Sequence, residues 1–210
     1  MFKHPSHSRE HQDFFVLAML NKKRGGTYLE IGGAQPQQGN NTHLLESVFG
    51  WRGVSVEWSG DLASRWPGQR VNPCVCADAT LLDYDALLQA HGLGPHIDYL
   101  QLDIDPPHQT LSALLRINLF KYRFSVITYE HDLYNGGDFE RLASRRILES
   151  FGYRRVVSDV LHGEFCFEDW YVHPAAVSAQ TYGPLLGERV TLDAAHLDPR
   201  YAEHFLHLGL

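Results

Sequence analysis

Three residues in one stretch, Glu30, Gly32 and Gly39, have the types and spacing of a ligand-binding turn. They lie in Thr27-Tyr-Leu-Glu-Ile-Gly-Gly-Ala-Gln-Pro-Gln-Gln-Gly39. Glycine lets a ligand approach the backbone, and a helix starting near Asn40-Asn41-Thr42 offers N–H donors. A dinucleotide site would need G-x-G-x-x-G so that a pyrophosphate can sit on the helix end. Here Gly32-Gly33 is followed by no glycine until Gly39, and a carboxylate at Glu30 repels a pyrophosphate. An acid in that place suits a cation. A second set of residues could carry a reaction: Asp103, Asp105, Glu130, His131, Asp132, Asp159, His162, Glu164, Glu168 and Asp169.

The ammonium and sulfonium groups of S-adenosylmethionine are a cationic ligand of the kind Glu30 suits. Glu57 ends a second apolar stretch, Val54 to Glu57, and can accept both hydroxyls of a ribose. Dinucleotide folds share such an acid, so Glu57 argues for an adenosine without separating the cofactors. So many carboxylates in one cleft repel one another unless cations neutralise them. One cation would be the methyl donor. A divalent metal, magnesium or manganese, is a second, with Asp103, Asp105 and Glu130 as its ligands; calcium also suits oxygen donors, and zinc or iron would need histidine to lead. Methyl transfer to a hydroxyl requires removal of a proton by a base of near-neutral pKa or by a metal. Asp103 and His131 are the expected catalytic pair, with His162 as the other candidate base. Asp132, Asp159, His162 and Glu168 are expected to face the acceptor. A solvated acidic rim, with Glu168 and Asp169 in water, is the plain alternative.

These residues need a frame that brings strand ends together. Phe14, Leu17 and Ala18 have helical spacing within 8–22, and Tyr28 to Ile31 reads as a buried strand. Strands follow at 54–57, 70–75, 97–105, 124–130, 153–160 and 165–172. Helices are expected over 42–49, 61–65, 81–91, 109–117, 139–151 and near 199–208. In an open α/β sheet, ligands bind outside the carboxyl ends of the parallel strands. Asp103 and Asp105 share one face of the fourth strand at that end. The turn at Leu161-His-Gly-Glu164 is too short for a crossover, so the seventh strand runs antiparallel to the sixth. The expected architecture is therefore a seven-stranded, mostly parallel sheet with an antiparallel last strand and helices on both faces. A domain over 1–174 is followed by a tail, 175–210, that packs on the domain or on a second subunit.

Composition excludes several classes. The chain has 210 residues, 44% hydrophobic and 20% charged, the profile of a globular domain with a sizeable core, and a net charge of −7. That balance argues against a broad nucleic-acid or anionic-membrane surface. There is no apolar run of about 18 residues, and the first residues lack the apolar core of a signal peptide, so a cytoplasmic location is expected. Cys74, Cys76 and Cys166 spell neither a disulfide framework nor a zinc ribbon and are expected as reduced thiols.

Taken together, the motifs resemble the FkbM-like group of class I S-adenosylmethionine-dependent methyltransferases. The pattern E-x-G-x(6)-G, at Glu30, Gly32 and Gly39, is similar to the first motif of that class. The resemblance spans roughly 8–174. It rests on His-Gln-Asp (11–13), Tyr-Leu-Glu-Ile-Gly (28–32), Asn-Thr-His-Leu-Leu-Glu (41–46), Phe-Gly-Trp-Arg-Gly-Val (49–54), Tyr-Leu-Gln-Leu-Asp-Ile-Asp (99–105), Val-Ile-Thr-Tyr-Glu-His-Asp (126–132) and Glu-Asp-Trp-Tyr-Val-His-Pro (168–174). It implies a Rossmann-like fold and O-methylation of a sugar, glycan or natural-product hydroxyl. It also implies that Glu30, Gly32, Gly33 and Asp103 line the cofactor, that Glu57 holds the ribose, and that Asp78 approaches the adenine. Two departures stand out: Gly33-Ala-Gln-Pro-Gln replaces an acidic or Asn/Asp-Gly loop, and Asp103-Ile-Asp-Pro-Pro replaces Asp-x-Glu-Gly. A small NAD-dependent oxidoreductase and a catalytically silent cofactor-binding subunit are the rival classes.

Overall fold

The computed structural model describes residues 2–193 and 195–210. Its elements are α1 (Gln12–Met19), β1 (Thr27–Ile31), α2 (His43–Ser47), β2 (Arg52–Glu57), α3 (Gly60–Ala63), β3 (Cys74–Cys76), α4 (Tyr84–Ala90), β4 (His96–Leu102), α5 (Pro107–Arg116), β5 (Arg123–Glu130), α6 (Asp138–Ser150), β6 (Arg154–His162), β7 (Phe165–Val172), α7 (Ala179–Tyr182), β8 (Gly187–Glu188) and α8 (Pro199–His207). One sheet carries all the strands in the order β3-β2-β1-β4-β5-β7-β6-β8. The first five in that order pair in parallel. β7 is antiparallel to both β5 and β6. The order reverses between β1 and β4, so a crevice opens there, outside the carboxyl ends of the strands.

The sheet has eight strands where seven are expected. The added strand, β8, pairs in parallel with β6, and beyond it Arg189 N donates to Ser158 O at 2.8 Å and Leu161 N to Val190 O at 2.9 Å. The tail thus covers the ladder edge that β6 would otherwise leave open. A two-residue strand has too short a period to be legible. The antiparallel strand also sits inside the sheet, between β5 and β6.

The middle strands are buried on both faces, as helical crossovers require of a parallel sheet. Tyr28 and Tyr99 face a layer of α1, α2 and the tail, whose Val177, Leu185, Leu192, Tyr201 and Phe205 are all buried. Leu29, Ile31, Leu100 and Leu102 face α4, α5 and α6. α1 is buried on every side, which a helix hydrophobic all round demands; Phe14 packs edge-on to Phe205 with centroids 5.6 Å apart. Local signals start two of the helices. Asp83 Oδ1 accepts from Ala86 N and caps α4, and Pro107 occupies the first turn of α5.

Two boundaries differ in ways that matter for the site. β4 stops at Leu102, so Asp103 and Asp105 belong to the loop beyond it and do not share a strand face. β3 is only Cys74–Cys76, and Arg70, expected to start that strand, turns inward and is 8% exposed. Among the described residues no helix is long and apolar enough to cross a membrane.

Candidate active-site cleft

The crevice at the strand ends is a cavity of about 810 Å³, within the usual range for small-molecule sites of about 300–1,000 Å³. Its floor depends on a close approach. Gly32 has φ +90°, and a Cβ there would lie 1.6 Å from the carbonyl oxygen of Asp103. Gly32 N and Gly33 N both donate to Val56 O, at 2.9 and 3.0 Å, while Asp103 N donates to Ile31 O at 2.9 Å. The absence of a side chain therefore lets β1, β2 and the loop after β4 meet at one point.

On one side of this floor the loop after β1 is held by Arg70. Its guanidinium donates to Pro36 O at 2.8 Å, Asn40 Oδ1 at 2.9 Å, Thr42 Oγ1 at 2.9 Å and Tyr28 Oη at 3.1 Å. It pairs with Glu46 at 2.8 Å and stacks over Trp66. Thr42, expected to cap α2, makes no capping bond. Its hydroxyl instead donates to Glu30 Oε2 at 3.1 Å, and Ser55 Oγ donates to the same atom at 2.5 Å. Burial pushes the Glu30 carboxyl up, against the opposing charge of Arg70. Glu57 accepts from Ala34 N at 2.8 Å and Ser59 N at 2.7 Å, one bond on each oxygen, which leaves lone pairs on both. Asp78, at the far end of the cavity, accepts from Thr80 N and Thr80 Oγ1 at 2.8 and 2.7 Å. Trp58, 77% exposed, lines the same cavity.

Three lining side chains carry buried oxygens with no partner: Asn41 Oδ1, Gln101 Oε1 and, at the acidic end, Glu10 Oε2. Gln101 is 1% exposed and lies opposite Glu30 in the β1–β4 register. Buried polar atoms are rarely left unmatched, so this end of the cavity is shaped for a ligand that donates hydrogen bonds.

The other end is acidic. Asp103, Asp105 and Glu130 line it with Arg9, Glu10, Tyr134 and His162. The Glu130 carboxyl lies within hydrogen-bonding reach of Asp103 and of Asp132; burial and the Asp103 charge hold it well above the ordinary carboxylate range. Asp103 is raised as well, chiefly by burial. Two such acids share a proton at a pH where ordinary carboxylates have lost theirs. Glu10 Oε1 meets His162 Nδ1 at 2.6 Å, closing the N-terminal segment over the β6–β7 turn.

Other expected site residues lie elsewhere. Because β7 alternates, Glu168 and Asp169 point to opposite faces, and neither is the solvated rim that was the alternative. Asp169 accepts a bidentate pair from Arg145 at 2.6 and 2.7 Å, and Asp159 one from Arg141 at 2.6 and 2.5 Å. Burial raises both acids, but the guanidiniums outweigh it and hold both below the ordinary range. His131 is fully buried beside them, Nε2 lying 3.5 Å from Asp159 and 3.6 Å from Asp169. Neither His131 nor Asp159 lines the cavity, so the expected catalytic role of His131 and substrate role of Asp159 have no access to a ligand there. Among the described residues, His131, Asp159 and Asp169 are also the one group with three ligand atoms within 4.8 Å of one another, and two arginines already neutralise it. Asp103, Asp105 and Glu130, the expected metal ligands, form no such three-way group. Asp132, expected at the substrate, is 2% exposed behind Glu130.

Glu168 is buried under α1, where Gln12 Nε2 and Trp170 Nε1 donate to its Oε2 at 3.1 and 2.5 Å. Burial pushes this carboxyl up to about 8. An acid raised in the folded state binds more protons folded than unfolded, so stability falls as pH climbs from about 4.5 to about 8. Glu168→Gln keeps an oxygen acceptor and carries no charge. It is expected to flatten that slope and raise stability at pH 7.5 by about 1–3 kcal/mol, read from urea denaturation at pH 5 and 7.5; an unchanged slope refutes it.

Arg70, Gln101, Asn41, Arg9, Glu10 and Tyr134 are the site residues that sequence reasoning passes over. Only Asn41 carried a signal, as a helix-capping type. The others are brought to the cleft by contacts between distant segments.

No protein-family model and no curated protein matches the chain. Solved structures do share its fold. Human methyltransferase 10 domain containing protein superposes with a TM-score of 0.52 at 14% identity, over 79% of this chain and 81% of that one. An rRNA methylase from Streptococcus thermophilus gives 0.51 at 13%, over 81% and 99%. Fibrillarin from Aeropyrum pernix, in complex with natively bound S-adenosyl-L-methionine, gives 0.51 at 17%, over 77% and 76%. The chain has the Rossmann-like α/β fold of the class I methyltransferases.

Proposed function

We propose that this protein is an S-adenosylmethionine-dependent methyltransferase acting on a hydroxyl of a small-molecule or glycan acceptor, of the FkbM-like kind. The observation that carries the reading is the pair of orphaned acceptors, Gln101 Oε1 and Asn41 Oδ1, in a cavity that the Glu30 carboxylate also lines. These three oxygen acceptors fit the ammonium of the cofactor. Glu57 has spare lone pairs for the ribose hydroxyls, Asp78 has an oxygen for the adenine amine, and the exposed face of Trp58 suits the adenine ring. The anionic Glu30 disfavours the pyrophosphate of a dinucleotide, which supports this cofactor over NAD.

The cofactor supplies an electrophilic methyl group on a sulfonium. The acidic end of the cavity supplies the rest. An acceptor hydroxyl beside Asp103 gives its proton to the Asp103–Glu130 pair, whose raised affinity for protons suits a general base. The oxygen so freed is the nucleophile; the bound cofactor would supply the methyl carbon it attacks, the electron pair of the broken carbon–sulfur bond leaving on sulfur. Arg9 lies near Asp103 and stabilises it as a carboxylate.

Calorimetric titration with S-adenosylhomocysteine, with NAD as control, tests the reading. Micromolar binding of the first alone is expected, and Glu57→Ala should weaken it by about 1–3 kcal/mol through lost charge-assisted hydrogen bonds. Absence of binding in folded protein refutes the cofactor; binding without product formation against any hydroxyl acceptor would leave a silent subunit.

A further inference from the structure

The acceptor end of the cavity has an electrostatic character that the cofactor does not explain. Four carboxylates line it, Glu10, Asp103, Asp105 and Glu130, against Arg9 and His162. Glu10 is 0% exposed, and its Oε2 has no hydrogen-bond partner although Oε1 is held by His162. This orphaned atom is an acceptor. At the mouth, Tyr134 and Phe165 are about half exposed and lie against each other, ring centroids 5.1 Å apart. A buried acid such as Glu10, whose free oxygen cannot reach water, calls for a donor of opposite charge, and an aromatic pair nearby favours an organic cation over an inorganic one.

Resting on the methyltransferase reading, we propose that the acceptor carries an ammonium group close to the hydroxyl that is methylated, so that the substrate class is an amino alcohol or amino sugar. The ammonium pairs with the free oxygen of Glu10, and the apolar body of the molecule lies on Tyr134 and Phe165. Anionic acceptors, including phosphate esters and nucleic acids, are repelled by the same carboxylates.

The test is calorimetric titration of the protein saturated with S-adenosylhomocysteine, using matched probes: glucosamine, glucose and glucuronate, and 2-phenylethylamine, 2-phenylethanol and 3-phenylpropionate. In at least one set the amine is expected to bind about tenfold or more tightly than its uncharged partner, with no binding of the acid. Glu10→Gln should remove most of that preference while leaving affinity for S-adenosylhomocysteine unchanged, which also shows the variant to be folded. The proposal is overturned, and the methyltransferase reading left standing, if S-adenosylhomocysteine binds but no amine outbinds its uncharged partner, or if the acids bind best. Failure to bind S-adenosylhomocysteine at all overturns both.

Discussion

Gly32→Ala is expected to abolish measurable binding of S-adenosylhomocysteine and to destabilise the fold by about 3–5 kcal/mol. Two effects act together. The residue has φ +90°, which an L side chain rarely adopts, and its Cβ would sit 1.6 Å from the carbonyl oxygen of Asp103. That neighbour is backbone, so no rotamer change relieves the overlap; the loop after β4 has to move away from β1. The movement would carry Asp103 off the cavity floor and open the pairing of Gly32 N and Gly33 N with Val56 O. Gly136→Ala is the matched control. It too has positive φ, +84°, but nothing lies within 4 Å of its Cβ position, so only the conformational cost of about 1 kcal/mol is expected. Urea denaturation and calorimetry on both variants separate the two contributions. Comparable behaviour of the two would show that the close approach at Gly32 is not what shapes the site.

Asp103→Asn should cut methyl-transfer turnover by about 10²–10⁴ and leave affinity for S-adenosylhomocysteine within about threefold. Asparagine has nearly the shape of aspartate, and the bond from the residue's N to Ile31 O does not involve the side chain. What is lost is one half of a pair of acids that share a proton. The remaining half gives a second, independent sign. Glu130 is held high first by burial and then by the Asp103 charge. Removing that charge lowers Glu130, so the acidic limb of the pH–rate profile, where activity rises as the base loses its proton, should move to lower pH. A structural role for Asp103 would change turnover without moving the limb. Turnover within threefold of the parent would remove Asp103 from the chemistry.

Much of the frame was legible because its signals are local. Tyr28 to Ile31 is an apolar run between turn residues, and it is β1. The tight turn within Leu161-His-Gly-Glu164 dictates a hairpin, and β7 is antiparallel to β6 across a two-residue connection, Gly163-Glu164. Glu57 ends β2, and Glu130 ends β5, so acids flagged by position at strand ends reached the cleft. In the loop after β4, Asp103 reached it as well, although the strand stops one residue earlier.

The charged residues that lie away from the cavity share a cause. Asp159, Asp169 and His131 are rich in charge and lie near the right edge, yet Arg141 and Arg145 of α6 reach down to neutralise the acids. Nothing in the spacing of α6 announces that its arginines turn to the sheet. Arg70 is the converse: a polar residue in an unremarkable turn that ties Pro36, Asn40, Thr42 and Glu46 into one loop conformation. The sequence by itself determined the alternation of elements, the antiparallel hairpin and an acid instead of a phosphate cradle after β1, because periodicity, turn chemistry and residue type act over a few neighbours. Only the tertiary structure decided which carboxylates face a ligand and which face an arginine, because a buried charge takes as its partner whatever opposite charge the topology brings within about 3 Å, however far away it stands in the chain.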